Sequence, residues 1–146
     1  MTSYMLIPAT PNDKNTLYRI HRLSMIDMVT IVWGWDEPVQ ARMFDTYFDS
    51  AQLQVIKVEG NTIGYVDTRC EVDHDFITNI ILHPDMQGRG IGTAILRNAV
   101  SISRQREVPL RLQVLKINAR ARELYERLGF VVTGDSDTHF AMEFHQ

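Results

Sequence analysis

The chain has 146 residues, 45% of them hydrophobic and 23% charged, with a formal net charge of −3 and a single cysteine, Cys70. That length supports one domain with a real core, the charge argues against a broad basic surface for nucleic acid, and one cysteine excludes an internal disulfide framework. No apolar run reaches the roughly 18 residues of a membrane span, and MTSYMLIPATPND shows no signal-peptide pattern, so a cytosolic protein away from membranes is expected.

Tyr4 to Pro8 reads as a short strand. Thr10 then serves as N-cap, Pro11 takes the first helical position and Asp13 the first turn. Leu17, Ile20, Ser24 and Met28 can share one face of that helix. VWGWDEP (32–38) breaks the pattern, and Val39, Met43, Phe44, Tyr47 and Phe48 resume it at helical spacing. LQVIKV (53–58), a Glu59-Gly60-Asn61 turn and TIGYVDTRC (62–70) predict a hairpin. Phe76 to Leu82 is a further strand after the acidic turn EVDHD. Positions 91, 95, 98, 99 and 102 are expected to face inward on the next helix. LRLQVL (110–115) alternates as a strand, and NARARELYERLGF is a helix ending at Gly129. FVVTG and HFAMEF make a closing hairpin. With no repeat and no linker, the order β-α-α-β-β-β-α-β-α-β-β predicts a single mixed α/β domain over 1–146, with helices covering a sheet.

The most specific stretch is HPDMQGRGIGTAIL. Gly88, Gly90 and Gly92 alternate directly ahead of a helix, although glycine is costly to order and packs nothing. A helix N-terminus offers unpaired N–H groups and partial positive charge, and glycines let a ligand approach the main chain. That combination suits an anion such as a pyrophosphate; the plainer alternative is a turn that only joins strand to helix. The loop is not a Walker A motif, which needs different spacing and a lysine. It also fails the dinucleotide fingerprint, because Thr93 stands where the third glycine belongs.

Gln87-Gly88-Arg89-Gly90-Ile91-Gly92 resembles the Gln/Arg-x-x-Gly-x-Gly/Ala signature of the GCN5-related N-acetyltransferases (GNAT), and NIILHP before it looks like their fourth strand. VLKINARARELYERLGF (114–130) is similar to their second signature. The resemblance is strongest over residues 50–144. It implies the GNAT fold, a central mixed, largely antiparallel sheet flanked by helices, and acetyl-CoA as co-substrate. It implies that Gln87, Gly88, Arg89, Gly90, Ile91 and Gly92 hold the pyrophosphate and that Ile80, Ile81 and Leu82 pair with the pantetheine arm as an added strand would. Asn118 matches a cofactor contact, with a helix N-cap as its alternative. Tyr125 matches the acid that protonates the departing thiolate and also touches the cofactor, with apolar-face filler as its alternative.

The acceptor half is less legible. A lysine-like amine costs about 4.6 kcal/mol to neutralise at pH 7, and an α-amine about 1 kcal/mol. A base or a desolvating site would help the first. Many relatives place a Glu on or before the fourth strand, and Phe76 to Leu82 has no acid. Asp73, His74 and Asp75 are the nearest base candidates, unless they form only a solvated turn. Trp33, Trp35, Asp36 and Glu37 would suit a cationic amine, or simply build a helix–helix corner. His21, His83, His139 and His145 lack metal-ligand spacing, so no metal is expected. Cys70 has no paired histidine motif, which favours direct attack in a ternary complex over an acyl-enzyme. The expected activity is acetyl transfer to a primary amine on a small molecule or peptide. The alternative is a non-catalytic acetyl-CoA-binding sensor or interaction module. The closing strands could pair between two copies in a homodimer.

Overall fold

Thr10 and Asp13 open the first helix as a reciprocal cap. In the computed structural model, which describes residues 3–145, the Thr10 N–H donates to the Asp13 carboxylate at 2.8 Å. Pro11–Asp13 form a 3-10 turn that leads into α1 (Lys14–Val32). The short strand before it is β1 (Met5–Pro8). Gly34, with φ +82°, lets the chain reverse, and Asp36 then caps α2 (Glu37–Ser50).

β2 (Gln54–Val58) and β3 (Asn61–Cys70) form the expected hairpin. Glu59 and Gly60 between them both carry positive φ, as a tight turn matching the strand twist requires. β4 (Asp75–Leu82), α3 (Ile91–Arg106), β5 (Leu110–Leu115), α4 (Ala119–Leu128), β6 (Val131–Asp135) and β7 (His139–Phe144) complete the chain. α4 ends at Gly129, whose φ of +107° is the left-handed cap that glycine takes without a Cβ penalty. The seven strands form one mixed sheet in the order β1-β2-β3-β4-β5-β7-β6, with helices flanking it. β4 and β5 run parallel, whereas β1–β2, β2–β3, β5–β7 and β6–β7 are antiparallel.

Two compact units can be described. The first comprises the chain up to Asp67 together with Asn79–Gly92; the second comprises Thr68–Thr78 and the chain from Thr93 onward. In the first, Leu17 and Ile20 from α1, Phe44 from α2, Leu53, Val55, Tyr65 and Ile81 form one buried cluster. Each such aliphatic side chain contributes about 2 kcal/mol of burial. His21 sits beside it, its Nδ1 2.9 Å from the Tyr65 hydroxyl. Burial pulls the imidazole down to about 4 from its usual 6.5, so the folded state keeps it neutral where an unfolded histidine takes a proton. Stability from this source is complete above pH 6.5 and declines as pH falls toward 4, by up to about 3 kcal/mol. Melting curves between pH 7 and 4.5 should therefore fall more steeply for the wild type than for His21→Gln; parallel curves would remove the effect.

In the second unit Leu96, Leu110, Leu112, Phe130 and Met142 are almost fully buried. The inward face of α3 differs from the expected one. Ile91, Ile95, Leu96, Val100 and Ser103 are buried, whereas Asn98 is exposed and Ile102 is 44% exposed. Counting apolar residues misses Ser103 because its burial depends on a partner: its hydroxyl donates to Asp75 at 2.7 Å. Arg106 Nε lies 3.0 Å from the other Asp75 oxygen. Asp75, 1% exposed, is thus a structural tie. Asp75→Ala leaves Ser103 and Arg106 without this partner, and urea denaturation should show a loss of about 2 to 3 kcal/mol.

Candidate functional site

The chain between β4 and α3 is shaped by its glycines. Gly88 and Gly90 have φ of +75° and +84°, a region that non-glycine residues enter at a cost of roughly 1 to 2 kcal/mol. The loop is fastened at both ends. Gln87 Nε2 donates to the Leu82 carbonyl at 3.1 Å, and Ile91 at the start of α3 is 1% exposed. The main-chain amides of Gly88, Arg89 and Gly90 have no backbone acceptor among the described residues. The first amides of α3 lack helical acceptors by construction. Gly92 has room for a Cβ, whose nearest neighbour would be Leu82 Cδ1 at 3.7 Å. Packing alone therefore does not demand glycine there, whereas close approach of an anion would.

β4 leads into this loop with a usable edge. Its parallel ladder to β5 runs only from Asp75 to Ile77. Beyond it the three expected pairing residues separate into two kinds. The His83 N–H donates to the Ile63 carbonyl, and the Ile81 carbonyl faces Gly64 of β3. Strand alternation then turns the main-chain groups of Ile80 and Leu82 to the opposite edge. Ile81 is a core residue whose carbonyl lies against Gly64 of β3, and the Leu82 carbonyl already accepts from Gln87. By that alternation the Ile80 N–H and carbonyl and the Leu82 N–H face the edge away from β3.

In the second unit, Asn118 caps α4 by accepting from the Ala121 N–H at 3.2 Å. Capping occupies only its Oδ1, so the side-chain amide hydrogens are available to a ligand. Tyr125, on the same helix, is 8% exposed and packs its ring against Phe130. Burial pushes its phenol up to about 12, so it is protonated at any physiological pH.

The sequence pattern of the acetyltransferase (GNAT) family matches residues 15–130. The chain belongs to the GNAT family. A putative [ribosomal protein bS18]-alanine N-acetyltransferase of Bacillus subtilis strain 168 is 31% identical over 80 residues, 54% of this chain and 53% of that protein. The mycothiol acetyltransferase of Acidimicrobium ferrooxidans is 30% identical over 105 residues, 67% of this chain and 34% of that protein. The matched stretches thus span about half or less of these relatives. The PaiA N-acetyltransferase of Thermoplasma acidophilum, solved in complex with coenzyme A, has a TM-score of 0.78 at 17% identity over 99% of both chains. The Escherichia coli ribosomal-protein-S18-alanine N-acetyltransferase gives 0.72 at 21% identity, over 97% of this chain and 93% of that one. At these identities the two structures show the fold.

For a GNAT chain without an acid on Phe76 to Leu82, the base candidates before that strand matter. Asp75 is ruled out of that role here, because a buried carboxylate with Ser103 on one oxygen and Arg106 on the other has no open face for an amine. Asp73 and His74 pair with each other at 2.7 Å, and that hydrogen bond holds the exposed Asp73 carboxyl below its ordinary range. The 33–37 corner is also largely spent on local structure. The Asp36 carboxylate accepts from the Val39 N–H at 3.2 Å. Glu37 accepts from Tyr18 and pairs with Arg22, and its carboxyl is lowered first by the Tyr18 hydrogen bond. Arg22 also lies 5.9 Å from the Trp35 ring centroid, where a cationic amine would otherwise stack. Trp33, at the C-cap of α1, is 57% exposed.

The first unit holds an acid that sequence reasoning passed over. Asp67 on β3 is 2% exposed. Its Oδ2 accepts from the Tyr47 hydroxyl of α2 at 2.7 Å, and that hydroxyl accepts from Asn79 Nδ2 of β4 at 3.2 Å. The available signal was a lone acid inside the apolar run TIGYVDTRC. Burying a carboxylate is costly unless it is hydrogen-bonded, so its presence there calls for a role. Among the described residues no three His, Cys, Asp or Glu side chains gather as a metal site, and no helix is long and apolar enough to cross a membrane.

Proposed function

We propose that the chain transfers an acetyl group from acetyl-CoA to a primary amine by direct attack in a ternary complex. The observation that carries this reading is the pair of left-handed glycines with unclaimed amides ahead of α3, in a chain of the GNAT family. Those amides, with Arg89 beside them, receive the pyrophosphate. Ile80 and Leu82 offer the strand-like donors and acceptor that pantetheine amides need, and Asn118 adds its side-chain amide. As the amine nitrogen bonds to the acetyl carbon, the carbon–sulfur bond breaks and the sulfur takes the Tyr125 proton. The nitrogen's surplus proton goes toward the Tyr47–Asp67 chain. Giving a proton from a phenol near 12 to a thiolate near 8.5 is uphill by about 5 kcal/mol. A desolvated site closes that gap by raising the thiolate's basicity as well.

Relatives are named for a ribosomal-protein alanine, for mycothiol and for streptothricin. A small-molecule or peptide amine acceptor fits that range. Trp33, exposed, remains the aromatic candidate for its contact, Trp35 being already faced by Arg22, and β6, an exposed strand at one end of the sheet, gives a second copy a place to pair. Tyr125→Phe should lower turnover roughly 10- to 100-fold with CoA affinity unchanged; wild-type rates would remove the acid role. The rival, a non-catalytic acetyl-CoA-binding module, shares the loop and is separated by thiol release. Acetyl-CoA incubated with a panel of α-amino peptides and polyamines should release thiol only with an accepted amine. Tight CoA binding with no release across the panel would favour the rival.

A further inference from the structure

The second unit contains a cavity of about 310 Å³ that the acetyl-transfer reading does not use. Its charged lining is Arg97 and Arg104 of α3 with Arg127 of α4, and among the described residues no carboxylate lines it. This is a local reversal in a chain of net charge −3. Arg104 and Arg127 stand in the last turns of their helices, where a cation complements the helix dipole. Arg97 lies in the middle of α3 and has no such local reason. Among the described residues, neither Arg97 nor Arg127 takes part in an ion pair. Arg97 and Arg127 thus bring two uncompensated cations to one concavity, and a bound anion relieves their repulsion.

The cavity also has an apolar wall. Leu128 and the half-buried Phe144 ring line it, and Ser101 adds a hydroxyl. Its location is distinct within the unit. Phe144 pairs with Leu110 at the start of β5, whereas Asn118 follows the end of that strand, so the length of β5, roughly 17 Å, separates the two ends. A guanidinium fork matches phosphate oxygens in plane and charge, and the volume lies at the small end of the ligand range.

We propose that the Arg97–Arg104–Arg127 cavity binds a small organic phosphate, its dianion held by the guanidinium groups and its aromatic or apolar body lying against Phe144 and Leu128. The test titrates the full chain with phenyl phosphate, with inorganic phosphate and with benzyl alcohol, following amide shifts by NMR. Saturable binding of phenyl phosphate, stronger than that of either half-probe, is expected, with shifts centred on 97–104 and 127–128. Arg97→Gln and Arg127→Gln should each weaken it roughly tenfold, and Gly90→Val should leave it unchanged. Both arginines are exposed, so their replacement spares the core. Absence of saturation, or an affinity unmoved by the arginine changes, overturns the proposal. Loss in Gly90→Val with retention in the arginine variants would place the phosphate in the glycine loop and overturn it equally. CoA affinity, measured in the same variants, reports on the acetyl-transfer reading separately.

Discussion

Gly90→Val will weaken CoA binding roughly 50-fold or more while lowering the melting temperature only modestly. Gly90 holds φ at +84°, where a β-branched residue is strained, so the loop must leave its present path. A Cβ at this position meets no protein atom within 4 Å, and the residue is exposed. No core contact is therefore lost, and the damage falls on the loop amides proposed to receive the pyrophosphate. Isothermal titration with CoA, paired with a thermal melt, separates the two effects. Wild-type affinity in a folded variant would sink the loop assignment.

Gly64→Ala should be the most damaging single-methyl change in the first unit, costing about 3 kcal/mol or more. A Cβ on Gly64 would stand 1.9 Å from the Ile81 carbonyl oxygen, 3.0 Å from its carbon and 3.1 Å from Leu82 Cα. All three are backbone atoms, so no side chain can swing aside. β4 must move away from β3 at the point where Ile80 and Leu82 present their outer edge. Stability and CoA affinity should therefore fall together, unlike in Gly90→Val. A urea midpoint within about 0.5 kcal/mol of wild type would show that the strands yield easily.

These two glycines mark the boundary between what was readable and what was not. Gly90 could be singled out in advance because its neighbours are local: alternating glycines, a preceding strand and a following helix all lie within a dozen residues. Gly64 looked like an ordinary strand glycine. Its importance comes from Ile81, seventeen positions along the chain. The same distinction separates Ile80 from Ile81, which are identical in type and adjacent, yet only the place of Gly64 on β3 shows that the Ile81 carbonyl turns toward that strand. Asp75 and Asp67 follow the same rule. The first reads as a base candidate in an acidic turn and the second as one more strand residue, but Ser103 and Arg106 close around one and Tyr47, itself bonded by Asn79, donates to the other.

Sequence alone determined what depends on neighbours in the chain. That includes the Thr10–Asp13 cap, the Glu59-Gly60 turn, the Gly129 helix end, the order of strands and helices and the glycine turn ahead of α3, because backbone torsions and hydrogen bonds within a few residues are set locally. Tertiary structure decided which side chains carry charge into the interior, which face of α3 is buried and which strand edge stays open. Those outcomes depend on partners distant in the chain, and a buried carboxylate or an unpaired amide is defined only by what stands opposite it.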